Sequence, residues 1–166
     1  MAWLGLGTNV GDRRANLRGA LGGTGALGHV AALSTVYESD PVGFAEQPVF
    51  WNMAVRLRTE IPPRPLLMAL KEVERAVGRR PTFPNGPRVI DLDLLLYDQR
   101  VIHDGLEIPH PRMLERAFVL RPLVELDPAL THPVTGARLV DVLAAGSFGE
   151  VRPLFPGAAL FQAETE

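Results

Sequence analysis

The segment Arg88-Val-Ile-Asp-Leu-Asp-Leu-Leu-Leu-Tyr97 sets the strongest constraint on what this chain can become. A run so rich in Val, Ile and Leu predicts a buried strand, and side chains along a strand alternate between its two faces. Asp91 and Asp93 therefore share one face, while Ile90, Leu92 and Leu94 line the opposite, apolar one. In such a strand the two Cα atoms lie roughly 6.5 Å apart, a spacing at which both carboxylates reach the same one or two divalent cations. Without a cation the charges repel across a poorly hydrated surface. The plainer alternative is a half-exposed strand whose aspartates point into solvent beside arginines.

Composition narrows the chemistry. The 166 residues contain no cysteine, which excludes disulfides, thiolate metal sites and thiol nucleophiles and leaves oxygen and imidazole as metal ligands. Hard cations such as magnesium are favoured. A formal net charge of −2, with 46% hydrophobic and 22% charged residues, describes an ordinary globular protein and no polycationic nucleic-acid binder. The length suits one domain, residues 1–166, able to bury about 70% of its unfolded surface around a single core. Met1-Ala-Trp-Leu-Gly-Leu-Gly7 lacks the basic and long apolar regions of a secretory signal, and no stretch reaches ~18 apolar residues, so a cytoplasmic location and no membrane association are expected. Lys71 is the one lysine among 17 basic residues. That arginine excess suits bidentate phosphate recognition, and equally suits coding bias or heat adaptation.

Leu4-Gly-Leu-Gly7 reads as a first strand, followed by a turn at Thr8-Asn9 and a helix capped by Asp12 that carries Leu17, Ala20 and Leu21 at helical spacing. The turn lacks the Gly-Lys-Ser/Thr ending of a P-loop and the spacing of a dinucleotide fingerprint. Residues 30–37 and 50–57 predict two strands joined by a structured loop. Pro62 and Pro63 open a helix with Leu66, Leu67, Leu70, Val73 and Val77 on one side, Lys71, Glu72 and Arg75 on the wet side, and Gly78 at its end. A Pro/Gly-containing loop, residues 79–87, then leads into the aspartate strand. Val101-Ile102 predicts a short strand, residues 113–126 helical turns, and residues 139–143 a small amphipathic stretch before a weakly patterned tail. The order β-α-β-β-α-β plus carboxy-terminal helices predicts an α+β, ferredoxin-like sandwich with helices packed on one face of a mainly antiparallel sheet.

Several short motifs occur together and in order: Gly7-Thr-Asn9, Tyr37-Glu-Ser-Asp-Pro-Val-Gly43, Gln47-Pro-Val-Phe-Trp-Asn52, Glu74, Gly78-Arg79, Pro87-Arg88-x-x-Asp91-x-Asp93, Pro109-His110-Pro and Arg116-Ala-Phe118. Through them the chain, from about Leu4 to Pro128, resembles the 6-hydroxymethyl-7,8-dihydropterin pyrophosphokinases. The resemblance implies transfer of the β,γ-diphosphate of ATP to the pterin's hydroxymethyl oxygen, releasing AMP on the way to folate. It also implies two magnesium ions bridging Asp91, Asp93 and the triphosphate, with Arg79 and Arg88 as catalytic residues. Glu74, Arg79, Arg88, His110 and Arg116 would bind ATP. Phe50 and Phe118 would sandwich the pterin, Asn52 would read its edge, and Ser39 and Val42 would contribute from the preceding loop.

Physical chemistry supports parts of this set directly. Guanidinium forks hold phosphate oxygens bidentately, an imidazole held between two prolines can donate to a phosphate oxygen or serve as an acid or base, with phosphate contact the more modest choice, and an amide inside an apolar strand wants partners. Each residue also has a plainer reading: surface ion pairs for the arginines, an exposed helix position for Glu74, core packing for Phe50 and Phe118. Lys71, Arg80 and Arg112 stay nearer those plainer readings, and His29, His103 and His132 lack company. Residues 79–87 lack the tryptophan and further basic residues common in the family before Gly-Pro-Arg, and Phe83 is the candidate to cover the pterin instead. A monomer is expected. The competing readings are another magnesium-dependent transferase using Asp-x-Asp, which leaves Asn52 and Phe118 unexplained, and a ferredoxin-like ligand-binding module, which predicts no ATP turnover.

Overall fold

The computed structural model describes residues 1–162. The final four positions of the expected 1–166 domain lie outside the described residues. Strand β1 (Ala2–Thr8) leads to helix α1 (Arg13–Gly25), whose amino terminus is capped by Asp12, its carboxylate accepting from the Ala15 N–H at 3.0 Å. Next come β2 (His29–Leu33), β3 (Thr35–Ser39) and β4 (Phe50–Arg58). The single strand expected over residues 30–37 is broken at Ser34, whose hydroxyl accepts from the Ala54 N–H at 2.8 Å and so keeps this irregular step joined to β4. Helix α2 (Pro63–Val77) starts on Pro63 and ends at Gly78, as the proline and glycine positions predict.

Strand β5 (Asp91–Tyr97) carries the two aspartates. A small hairpin of β6 (Ile102–His103) and β7 (Glu107–Ile108) follows, shifted one residue from the expected Val101-Ile102. A 3-10 turn (Met113–Glu115) precedes α3 (Ala117–Leu126), then come α4 (Leu139–Ala145) and β8 (Val151–Pro156). The strand β8 lies in the tail whose pattern is too weak to announce it. Pro153 and Pro156 suppress the usual strand signature, and both are tolerated because β8 is an edge strand.

The large sheet runs β5-β1-β4-β3-β8, with β2 also paired to β4, and every pairing is antiparallel. This is the ferredoxin-like α+β arrangement. Helices cover both faces, however, where one face was expected. Leu4, Leu6, Met53, Val55, Leu92 and Leu94 pack with Leu17, Leu21, Leu66 and Leu70 from α1 and α2. The other face holds a second core, in which Trp3, Ala54, Leu95 and Leu96 meet Val119, Leu120 and Leu123 of α3 and Leu139 of α4. A bulge in the β1–β5 pairing at Trp3/Leu4 turns Leu95 and Leu96 toward that second core together. The side chain of Glu125 ties α3 to the sheet, accepting from the Tyr37 hydroxyl and the Thr35 N–H, each at 2.6 Å.

Helix α2 separates its two sides cleanly. Leu70 is fully buried, whereas Met68, two residues away, is 66% exposed. Leu70→Ala should lower unfolding stability by about 2–5 kcal/mol through lost burial and an unfilled cavity. Met68→Ala should change it by no more than about 0.5 kcal/mol. Urea titrations of both variants check the contrast.

Candidate active site

The second core covers only half of its sheet face. Toward the ends of β1, β4 and β5 that lie away from Trp3 and Leu96, side chains become small or polar, and among the described residues no helix lies across them. Register explains the opening. Asp91 lies opposite Gly7 and Asp93 opposite Gly5, while Gly7 and Gly5 lie opposite Asn52 and Ala54 on their other side. A glycine within a strand leaves the face bare for close approach of another group. The result is a cleft of about 530 Å³ whose walls come from this floor, α3, the 40–49 loop, the 79–87 loop and the segment before β8.

Asp91, Asp93, Arg88, Arg116, Asn52 and Phe118 all line this cleft, together with Ser39, Val42 and Phe50. Thus the structure brings nine of the twelve expected site residues to one cavity. Asn52 is buried, and its amide Nδ2 donates to the Ser39 hydroxyl at 2.7 Å. One amide N–H and the Oδ1 lone pairs are left for a ligand with a donor–acceptor edge. Phe50 and Phe118 are half-buried, and the Arg116 guanidinium lies 5.6 Å from the Phe118 ring centre. Trp51, on the opposite face of β4, packs against Phe155 beneath Arg13.

The remaining three expected residues flank the aspartates without lining the cavity. Glu74 is turned beneath β5, where Oε1 accepts from the Leu92 N–H at 2.7 Å and Oε2 stands 3.5 Å from Arg79 Nε. Its carboxylate is spent on protein partners, which differs from the open nucleotide contact expected of it. Burial raises its pKa, against the lowering effect of the Leu92 N–H and Lys71. Arg79 reaches from Glu74 to Asp91, with Nη2 3.7 Å from Oδ1. His110 follows the cis Ile108–Pro109 peptide, and its N–H donates to the Leu95 carbonyl at 2.9 Å. Its Nδ1 accepts from the Arg112 N–H at 3.2 Å. Burial and the Arg116 charge lower the pKa of His110. A neutral ring with Nδ1 as acceptor carries its proton on Nε2, the tautomer that donates to an anion.

Asn9 joins the two loops that frame the mouth. Its Nδ2 donates to Gln47 Oε1 and the Pro48 carbonyl, each at 2.9 Å, and its Oδ1 accepts from the Arg88 N–H at 2.8 Å. Gln47 Nε2 then donates to the Asn85 carbonyl at 2.7 Å. Gly43 (φ +88°) lies so close to Asn85 that an added Cβ would stand 2.8 Å from Nδ2 of that residue. Phe83 does not cover the cavity. It stacks edge-on against Phe44 at 5.1 Å, leaving Asn85 and Gly86 as the loop's contribution to the lining. Sequence reasoning missed Gly5, whose place inside a strand was the available signal. It also missed Phe148, which carries no periodic signal and reaches the wall only because β8 pairs with β3.

The donor set suits a hard divalent cation. Two carboxylates face an open floor, and no group of three or more His, Cys, Asp or Glu side chains gathers as a metal cage among the described residues. A cation there would keep most of its shell for water and phosphate oxygens, which is how magnesium is commonly held. Asp93 also shows the need for positive charge, since apolar surroundings and the neighbouring Asp91 push its pKa from 3.8 up to about 7.

Residues 3–128 match the family model described as 7,8-dihydro-6-hydroxymethylpterin-pyrophosphokinase. The chain is 41% identical over 133 residues to the 2-amino-4-hydroxy-6-hydroxymethyldihydropteridine pyrophosphokinase of Aquifex aeolicus, covering 80% of this chain and 83% of that one. It is 36% identical over 156 residues to the folic acid synthesis protein fol1 of Pneumocystis carinii, covering 93% of this chain but only 21% of that longer protein. The fold superposes on the HPPK-DHPS protein of Plasmodium falciparum with a TM-score of 0.70 at 15% identity, covering 86% of this chain and 44% of that one.

The raised Asp93 pKa fixes a sign for stability. The folded protein holds a proton that the unfolded chain releases between about pH 4 and 7, so this group's stabilising contribution is present below that window and lost as pH rises through it. In EDTA, Asp93→Asn should therefore melt higher than the parent at pH 8, with the difference shrinking toward pH 4. Thermal melts across that range test it, and a variant less stable than the parent at pH 8 would contradict it.

Proposed function

The chain belongs to the 7,8-dihydro-6-hydroxymethylpterin-pyrophosphokinase family of folate-synthesis enzymes, and we propose that its cleft carries the β,γ-diphosphate of ATP to the hydroxymethyl oxygen of 6-hydroxymethyl-7,8-dihydropterin, releasing AMP. The observation that carries this reading is the meeting, in one cavity, of Asp91 and Asp93, of Arg88 and Arg116, and of Asn52 with Phe50 and Phe118.

The two ends of the cleft have different tasks. At one end, Phe50 and Phe118 supply faces for a flat heteroaromatic ring, and Asn52, steadied by Ser39, pairs with its amide-like edge. Val42, exposed on the 40–49 loop, adds apolar cover. At the other end, Arg88 presents its guanidinium to phosphate oxygens while Nη1 donates to the Gly86 carbonyl at 3.1 Å. Arg116 stands at the amino-terminal cap of α3, where the helix dipole also favours anions. Arg79 and the Nε2–H of His110 complete the phosphate set. Asp91 and Asp93 would hold magnesium, two ions in this reading, which when bound would neutralise the charge of the triphosphate during transfer. Holding alcohol and phosphate chain in line is then the protein's main contribution.

The enzyme is read as a monomer, and residues 1–166 as one domain. No helix among the described residues is long and apolar enough to cross a membrane. Both substrates are soluble, so we place the enzyme in the cytoplasm.

The test is incubation with ATP, Mg²⁺ and the reduced pterin, which should give AMP and pterin diphosphate in equal amounts. Chelating the metal should stop turnover. Folded Asp91→Ala and Asp93→Ala proteins should lose at least about 100-fold in kcat, the scale of removing one stabiliser of developing charge. Parent-like turnover in either would refute the assignment. Phe118→Ala should raise the pterin KM up to about 10-fold, from a stacking contribution of about 0.5–1.5 kcal/mol, and leave the ATP KM within about twofold. Steady-state kinetics in each substrate separate the two effects.

A further inference from the structure

Among the described residues, strand β5 is an edge of the sheet, hydrogen-bonded within it to β1 alone. Its outer backbone groups therefore need partners from elsewhere. At Leu92, the residue between the two aspartates, both groups find them on α2. Glu74 Oε1 accepts from the Leu92 N–H at 2.7 Å, Lys71 Nζ donates to the Leu92 carbonyl at 3.1 Å, and the two side chains pair with each other at 2.9 Å. One acceptor, one donor and the link between them reproduce what a neighbouring strand would offer. Lys71 is thus engaged with the strand edge, not simply placed on the wet side of its helix.

The arrangement is costly enough to require an explanation. Glu74 is only 3% exposed, and burying a carboxylate is unfavourable unless charge and hydrogen bonds offset it. An apolar side chain at this position would pack α2 against β5 without that cost. We propose that Lys71 and Glu74 are positioning residues: a one-residue substitute strand that holds the backbone of β5 between Asp91 and Asp93 and so sets the direction of both carboxylates. Arg79, within 3.5 Å of Glu74 and 3.7 Å of Asp91, carries the same restraint to the first aspartate. Neither Glu74 nor Lys71 lines the cleft, so the pair acts through the strand and not by touching a substrate. The inference rests on the reading of Asp91 and Asp93 as cation ligands.

The test compares Glu74→Ala with Glu74→Gln, whose amide oxygen still accepts from the Leu92 N–H. The quantities read are hydrogen exchange at the Leu92 amide, Mn²⁺ half-saturation by EPR with a nonhydrolysable ATP analogue, the pterin dissociation constant, and kcat with the ATP KM. In folded Glu74→Ala the Leu92 amide should exchange at least about 10-fold faster, and both the Mn²⁺ midpoint and kcat should worsen by about 10- to 100-fold, the usual range for partners that orient metal ligands. The pterin dissociation constant should stay within about twofold. Glu74→Gln should keep Leu92 protected and recover most of the Mn²⁺ affinity and turnover, and it serves alone if the alanine protein does not fold. A glutamine protein that keeps Leu92 protected yet is as impaired as the alanine one would overturn the proposal, as would an effect confined to the ATP KM. A parent that lacks turnover but shows the exchange and Mn²⁺ differences would fail the reaction assignment and leave the strut standing.

Discussion

The two-residue alternation of β5 is the constraint from which the site follows. It commits Leu92 and Leu94 to the core beneath α1 and α2, and by the same geometry commits Asp91 and Asp93 to the other face. Were that second face fully covered, two carboxylates would be trapped in an apolar interior. Helix α3 stops short instead. Its apolar contacts end with Ala54, Leu95 and Leu96, and beyond them the floor consists of Gly5, Gly7 and Asn52. The cleft is the part of a two-sided sheet that the helices leave bare.

Electrostatics explains why such a region persists in a stable fold. Asp91, Asp93 and buried Glu74 lie close together, and Lys71, Arg79 and Arg116 counter them only in part. Burial, with the Asp91 charge beside it, pushes the Asp93 carboxyl toward its neutral form, while burial and then the neighbouring Arg112 lower the pKa of the Arg116 guanidinium. Both signs of charge are held under tension in a preformed site. A cation beside the aspartates would relieve the first imbalance and a polyphosphate beside the arginines the second, so the two ligands would complement the cleft better together than singly.

Much of this was legible in the chain because it depends on local rules. The strand period put Asp91 and Asp93 on one face, Pro63 and Gly78 marked the ends of α2, and Asp12 marked the start of α1. An asparagine in an apolar strand announced itself as a group needing partners, and Ser39 is one of them. Long-range pairing was harder to read. Strand β8 is short, contains prolines and takes its place from β3, so neither it nor the position of Phe148 could be foreseen from local pattern. The covering of both sheet faces was hidden for a similar reason: α3 is apolar over much of its surface, and the face it seeks is decided by the bulge that turns Leu95 and Leu96 together. Glu74 was visible as a residue of interest, but its role depends on the unpaired edge of β5, which only the sheet order reveals.

The two halves of the cleft are also mechanically joined. Asn9 holds Pro48, two residues before Phe50, and with the same amide group holds the backbone of Arg88, three residues before Asp91. Gln47 extends the connection to Asn85, and Phe44 meets Phe83 across the outer rim. The segment before Phe50 and the backbone of Arg88 are thereby linked through hydrogen bonds of 2.7–2.9 Å. For a reaction whose rate depends on alignment of an alcohol with a phosphorus atom, such a rigid tie between the two subsites limits the misalignment that either loop alone would permit.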